Sequence, residues 1–120
     1  MKWYRSDVKT FEFDIKTDGN YDLFFCMRHS TGYQFMTIKT KISMTTPDYQ
    51  VYEKEAEFLV TNEKGEYIGD GTGQLWDIEE AFSANELLKK GHYKISIAHA
   101  MEIDPVILVM EIGLKVKKTK

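Results

Sequence analysis

The sequence predicts an all-β domain, an antiparallel β-sandwich of jelly-roll-like kind with about seven or eight strands. Three observations carry that expectation. Hydrophobic residues recur with a period of two over most of the chain. Turn-forming residues interrupt the alternation at short intervals. One short segment alone has helical character. A closed barrel is the alternative arrangement of the same strands.

The first strand is Val8 to Lys16, where Phe11, Phe13 and Ile15 share one face and Thr10, Glu12, Asp14 and Lys16 the other. Asp18-Gly19-Asn20 turns the chain. Tyr21 to His29 differs: Tyr21, Leu23, Phe25 and Met27 line one face, but Phe24 and Cys26 lie on the other. Apolar residues on both faces indicate a central strand with its second side covered. Phe35 to Thr45 alternates again, and Thr46-Pro47-Asp48 ends it. Tyr52 to Thr61 sends Ala56, Phe58 and Val60 inward and Glu53, Glu55 and Glu57 outward. Asn62 to Gly65 has hairpin composition, and Glu66 to Ile68 is expected to return beside it. Leu75 to Ile78 reads as a further short strand. His92 to Met101 and Ile107 to Val116 complete the set, joined through Asp104-Pro105.

The helical signal is Ser83-Ala84-Asn85-Glu86, which has the spacing of a capping box, followed by Leu87, Leu88, Lys89, Lys90 and a terminating Gly91. It predicts a helix of at most two turns over Ser83 to Lys90.

The chain has 120 residues, which is one domain, residues 1–120, without internal linker or repeat. Its 16 basic and 19 acidic residues leave a net charge of −3, so the cationic footprint of a nucleic-acid binder is absent. The single cysteine, Cys26, excludes an internal disulfide and Cys-x-x-Cys chemistry; its apolar neighbours suggest a buried, inert thiol. No apolar run reaches the ~20 residues of a membrane-spanning helix. The start, Met1 to Asp7, lacks a hydrophobic signal core. The basic end, Lys115 to Lys120, reads as a solvated tail, with weak contact to anionic lipid heads as the alternative.

Catalysis finds little support. No Gly-x-Ser-x-Gly occurs, and Cys26 and His29, three apart on a strand, point to opposite faces. The three histidines are scattered; His99 continues a core face and is expected to be hydrogen-bonded there. No metal and no cofactor is indicated. Gly69, Gly71 and Gly73 precede Gln74-Leu75-Trp76 rather than a helix, so they are expected to be structural, at a bend or a close backbone approach, not a phosphate loop. Candidate binding residues are Arg28, His29, Tyr33, Tyr67 and Trp76: one guanidinium that must find a carboxylate, and rings at strand ends. Arg28 is expected in a polar network at one end of the sandwich, near His29 and Tyr33, with carboxylates from adjacent strands.

The order of several segments carries a resemblance. Phe11-Glu12-Phe13 opens the domain, and Tyr21-Asp22-Leu23 leads to Arg28-His29 and Tyr33. Gly65-Glu66-Tyr67-Ile68-Gly69-Asp70-Gly71-Thr72-Gly73 follows. Gly91-His92-Tyr93, Met101 and Ile112-Gly113-Leu114 come last. In this order the chain resembles the GldH-type gliding-motility lipoproteins of Bacteroidota, from about Phe11 to Lys117. It departs from them at Glu102, where the family commonly has Arg, and at Gln34-Phe35-Met36, which replaces a turn rich in Pro and Asn. The resemblance implies a cell-envelope protein, lipid-anchored on the periplasmic side through a segment absent from this chain. Its partners would be other envelope proteins of motility or of the linked secretion, and it implies no catalytic residues. The competing reading is a small carbohydrate- or ligand-binding β-module. Such a module would expose a row of coplanar aromatics over a groove; an interaction protein would offer an apolar or strand-edge patch instead.

Overall fold

The computed structural model describes residues 1–120, the side chain of Thr72 excepted. The chain forms strands β1 (Lys2–Trp3), β2 (Lys9–Ile15), β3 (Gly19–Ser30), β4 (Thr37–Thr45), β5 (Val51–Leu59), β6 (Asp70–Thr72), β7 (Leu75–Leu88), β8 (Gly91–His99), β9 (Val106–Ile107) and β10 (Val109–Lys118). Two four-stranded antiparallel sheets have the orders β10-β3-β7-β6 and β2-β8-β4-β5, and β1 pairs with β9 in a short ribbon. The domain is thus a sandwich and not one closed barrel. The chain changes sheet between β2 and β3, β3 and β4, β5 and β6, β7 and β8, and β8 and β10.

The alternating residues of both sheets meet in a single core. Leu23, Phe25 and Met27 of β3 face Ile42 of β4, Phe58 of β5 and Ile95 and Ile97 of β8 within one buried cluster. Phe25 and Phe58 stack between the sheets with ring centroids 4.4 Å apart and planes 9° from parallel. Each buried aromatic of this kind contributes about 1.5–3 kcal/mol of transfer free energy. The second face of β3 is covered differently from expectation. Among the described residues no further element lies on it; Phe24 and Cys26 are half-buried beside the flanking strands, with the Lys115 ammonium 5.8 Å from the centre of the Phe24 ring.

The helix expected at Ser83 to Lys90 is absent. Leu75 to Leu88 is instead one strand of 14 residues, paired with β3 from Ser30↔Leu75 to Gly19↔Leu88. Two turns are too few to offset helix nucleation unless one face is buried. Here the adjacent leucines divide as in a strand: Leu88 is in the core at 3% exposure and Leu87 in solvent at 63%. The backbone N–H of Asn85, which would begin a helix, donates to the Asp22 carboxylate at 2.8 Å, and Asn85 has φ +55°. Two register shifts flank Leu23 opposite this stretch. The segment around Glu66 to Ile68 is also less regular than expected. It contributes an isolated bridge, Thr61↔Tyr67, before β6 begins.

Candidate functional site

Four of the five candidate binding residues converge at one end of the sandwich. His29, next to last in β3, lies on the inward face, the parity set by Phe25 and Met27, and it is fully buried. Its ring lies 5.5 Å from that of Tyr33 and 5.1 Å from that of Tyr67, and Tyr67 lies 5.1 Å from Trp76. Tyr33 also meets Phe35 edge-on at 5.7 Å. The loops that bring these rings together are tied by polar contacts. The Gly32 N–H donates to the Tyr67 hydroxyl at 2.7 Å, the Trp76 indole N–H to Thr31 Oγ1 at 3.1 Å, and the Tyr33 hydroxyl to the Thr37 carbonyl at 2.9 Å. Burial raises the Tyr33 hydroxyl above its ordinary range, which keeps it a neutral donor.

His29 holds its proton on Nδ1, since that nitrogen faces the Ser30 carbonyl oxygen at 3.1 Å. Nε2 is buried and has no hydrogen-bond partner among the described residues. Burial lowers the affinity of this ring for a second proton.

Arg28 lies at the same end but not in this cluster. One residue before His29, it points to the opposite face of the sheet. There Nε and Nη2 donate to Asp77 Oδ1 and Oδ2 at 2.9 and 3.2 Å, and Nη1 stands 3.9 Å from Glu111. Register fixes the arrangement: Asp77 on β7 and Glu111 on β10 are the cross-strand partners of Arg28. The hydrogen bond from Arg28 lowers the Asp77 carboxyl below its ordinary value. The expected carboxylates from adjacent strands are therefore these two, while strand parity sends the Arg28 side chain to the face opposite His29 and away from the ring cluster. Cys26, two residues back, is half-buried on this outer face rather than in the core, and burial pushes its thiol up.

The glycines frame the ring cluster. A Cβ on Gly69 would stand 2.3 Å from the Asp77 carbonyl oxygen, and one on Gly71 would stand 2.3 Å from Cε3 of Trp76. Gly73 turns the chain at φ +67°. Without side chains at Gly69 and Gly71 the segment can approach β7 and seat Trp76.

Two features escaped the sequence reading. Asp104 clamps the end of the chain: its Oδ1 accepts from the Arg5 backbone N–H at 2.8 Å and faces His99 Nε2 at 2.9 Å. His99 Nδ1 in turn accepts from the Met101 N–H, so Nε2 carries the proton. The second feature is an opening between the sheets beside β5. A groove of about 190 Å3 is lined by Leu23, Ile42, Met44, Tyr52, Lys54 and Phe82, among others. The readable signal was Tyr52 and Lys54, which share the inward parity of Ala56 and Phe58.

No nucleophile with an adjacent base is assembled by these contacts, and among the described residues no three His, Cys, Asp or Glu side chains converge as a metal site requires. The fold and its paired side chains define a β-sandwich with a packed aromatic end and a salt-bridged outer face. The chain belongs to the GldH lipoprotein family, which it matches over residues 1–116. Membership places it among lipoproteins, and with them at a membrane of the cell envelope. It is similar to the gliding motility lipoprotein GldH homolog of Christiangramia forsetii, at 24% identity over 98% of this chain and 78% of that protein. No solved structure gives a significant match.

Proposed function

We propose that the chain is a non-catalytic accessory component of gliding motility, or of the secretion linked to it, and acts through protein–protein contacts on the periplasmic side. The observation that carries this reading is the engagement of every candidate site residue. His29, Tyr33, Tyr67 and Trp76 pack on one another, and Arg28 is held by Asp77. Side chains so committed hold a rigid surface, whereas catalysis needs a group free to attack or to exchange a proton. The ring planes at this end are tilted by 40–55° along His29, Tyr67 and Trp76. That is unlike the coplanar row over which a sugar stacks and favours protein contact over the carbohydrate-module reading.

The test is deletion of the gene in the bacterium that encodes it, with cross-linking of the tagged, restored protein in living cells. The expected result is loss of surface spreading or of protein export, and cross-links to envelope proteins. A purified domain that turns over an ester, glycan or phosphate substrate, and stops on Arg28→Ala, overturns the reading.

A further inference from the structure

We infer that the free edge of β5 is a docking site for an extended peptide strand with alternating apolar and basic residues, contributed by a partner protein. The inference rests on the reading of the domain as one that works by protein contact, and it names the surface and the chemistry of the partner.

The geometry begins with which backbone groups β5 leaves open. β5 lies at the end of its sheet and pairs with β4 in unbroken register, Val51↔Thr45 to Leu59↔Thr37. In an antiparallel pair, hydrogen-bonded residues alternate. The Val60 N–H donates to Met36 at 2.7 Å, and the Thr46 N–H donates to Gln50 at 2.9 Å. The even residues of β5 are thereby bonded to β4. Val51, Glu53, Glu55 and Glu57 direct their N–H and C=O groups to the unpaired side. This is a regular edge without a bulge, the form that accepts another strand.

The side chains then specify the strand. A residue paired with Glu53, Glu55 or Glu57 points to the same outer face as those carboxylates; Lys41 of β4 already stands 3.6 Å from Glu53, so a basic side chain is favoured, and an acidic one repelled, chiefly opposite Glu55 and Glu57. The residues between them point inward, over the groove beside β5. Leu23 and Ile42 at its floor are core residues, and Tyr52 at its rim is 60% exposed. Lys54 spans the opening by donating to the Phe82 carbonyl, with its ammonium 5.7 Å from the Phe82 ring centre. Its stem is long enough to move aside and lie along an incoming apolar residue.

The same charges argue against a second copy of the chain. Two β5 strands paired antiparallel would oppose Glu to Glu. β10 has basic outward residues, Lys115 and Lys117, but its inward Leu114 and Val116 are packed on their own core and cannot fill another groove. The acidic row thus rejects self-pairing while admitting a basic partner.

The test titrates the 120-residue chain with a fluorescently labelled peptide of alternating valine and lysine. Controls are a peptide of the same composition with the lysines and valines in two blocks, and an alternating valine–glutamate peptide. Amide exchange of the chain is followed with and without peptide. Strand addition predicts binding of the alternating valine–lysine peptide at least about tenfold tighter than of either control, with new protection at Glu53, Glu55 and Glu57. Glu55→Pro removes an outward N–H that is not bonded to β4, so it leaves the melting temperature near wild type and weakens binding about tenfold or more. Glu55→Gln keeps the N–H and retains protection at Glu53 and Glu57. Equal binding of the blocked peptide, or full binding by Glu55→Pro, reduces the effect to charge attraction and overturns the inference. So does association of the chain with itself through β5. Failure here with envelope cross-links intact in cells removes this surface and leaves the protein-contact reading standing.

Discussion

Trp76 packs directly on Gly71, so closely that a Cβ at Gly71 would fall within 2.3 Å of the indole ring. The alternate glycines of this segment do different jobs. At Gly69 the obstacle is the Asp77 backbone carbonyl, which is part of β7 and cannot turn away. At Gly73 there is open space, and the constraint is the positive φ.

Alanine substitutions should therefore separate the three. Gly69→Ala is expected to destabilise by about 1–3 kcal/mol, through displacement of backbone. Gly71→Ala is expected to shift the Trp76 emission spectrum as well as stability, because the ring must move. Gly73→Ala should cost about 1 kcal/mol, and Gly73→Asn less, since Asn tolerates the left-handed region. Urea denaturation followed by tryptophan fluorescence checks all four. Equal, negligible effects would remove the structural role of the segment.

The Arg28–Asp77 pair is two-pronged but exposed, so its contribution should be modest and sensitive to conditions. Arg28→Ala is expected to lower the melting temperature by less than about 5 °C. The deficit should shrink at about 1 M salt, where screening is short-ranged. Asp77 has a folded-state pKa below its ordinary value of 3.8. Its contribution is therefore complete above that value and lost as pH falls through the lower folded one. Calorimetry of wild type and variant at neutral and strongly acidic pH should show the difference vanish in acid. A constant difference would mean that Arg28 acts through packing of its stem instead.

The fold class was legible because burial followed parity almost residue by residue. Phe25 and Met27 predicted the side on which His29 would lie, and the same count places Arg28 opposite. The error was to group Arg28 with the rings by nearness in sequence. The Ser83–Lys90 helix failed for a related reason. A capping pattern describes only how a helix starts, whereas the burial of Leu88 without Leu87 was decided by β3, a neighbour distant in sequence. The convergence of Tyr33, Tyr67 and Trp76 depended on loop closure and was visible only as rings near strand ends. The groove beside β5 was hidden for another reason: sequence order does not reveal which strand ends a sheet.

Two histidines, His29 and His92, sit in surroundings that give stability opposite dependences on pH. His29 is buried, and burial holds its folded pKa below the ordinary 6.5. The unfolded chain then binds a proton that the folded chain refuses, so stability falls as pH drops through about 6.5 toward the folded value. His92 is exposed between two carboxylates, with Nε2 3.0 Å from Glu12 and Nδ1 2.7 Å from Asp14. These bonds, that to Glu12 first, raise its folded pKa. Its contribution is fully present below 6.5 and is lost as pH rises through the raised folded value. Denaturation in urea at about pH 5.5, 6.5, 7.5 and 8.5 separates the two. Relative to His29→Leu, wild type should lose stability toward acid; relative to His92→Gln, it should lose stability toward alkali. At neutral pH His29→Leu is expected to cost about 1 kcal/mol, because it removes the Nδ1–H bond to the Ser30 carbonyl together with an Nε2 that has no partner among the described residues. An acid-side loss between about pH 7.5 and 5.5 that persists unchanged in His29→Leu would show that His29 is protonated without penalty, since carboxylates such as Asp104, whose folded pKa is lowered from 3.8, lose their contribution only in stronger acid.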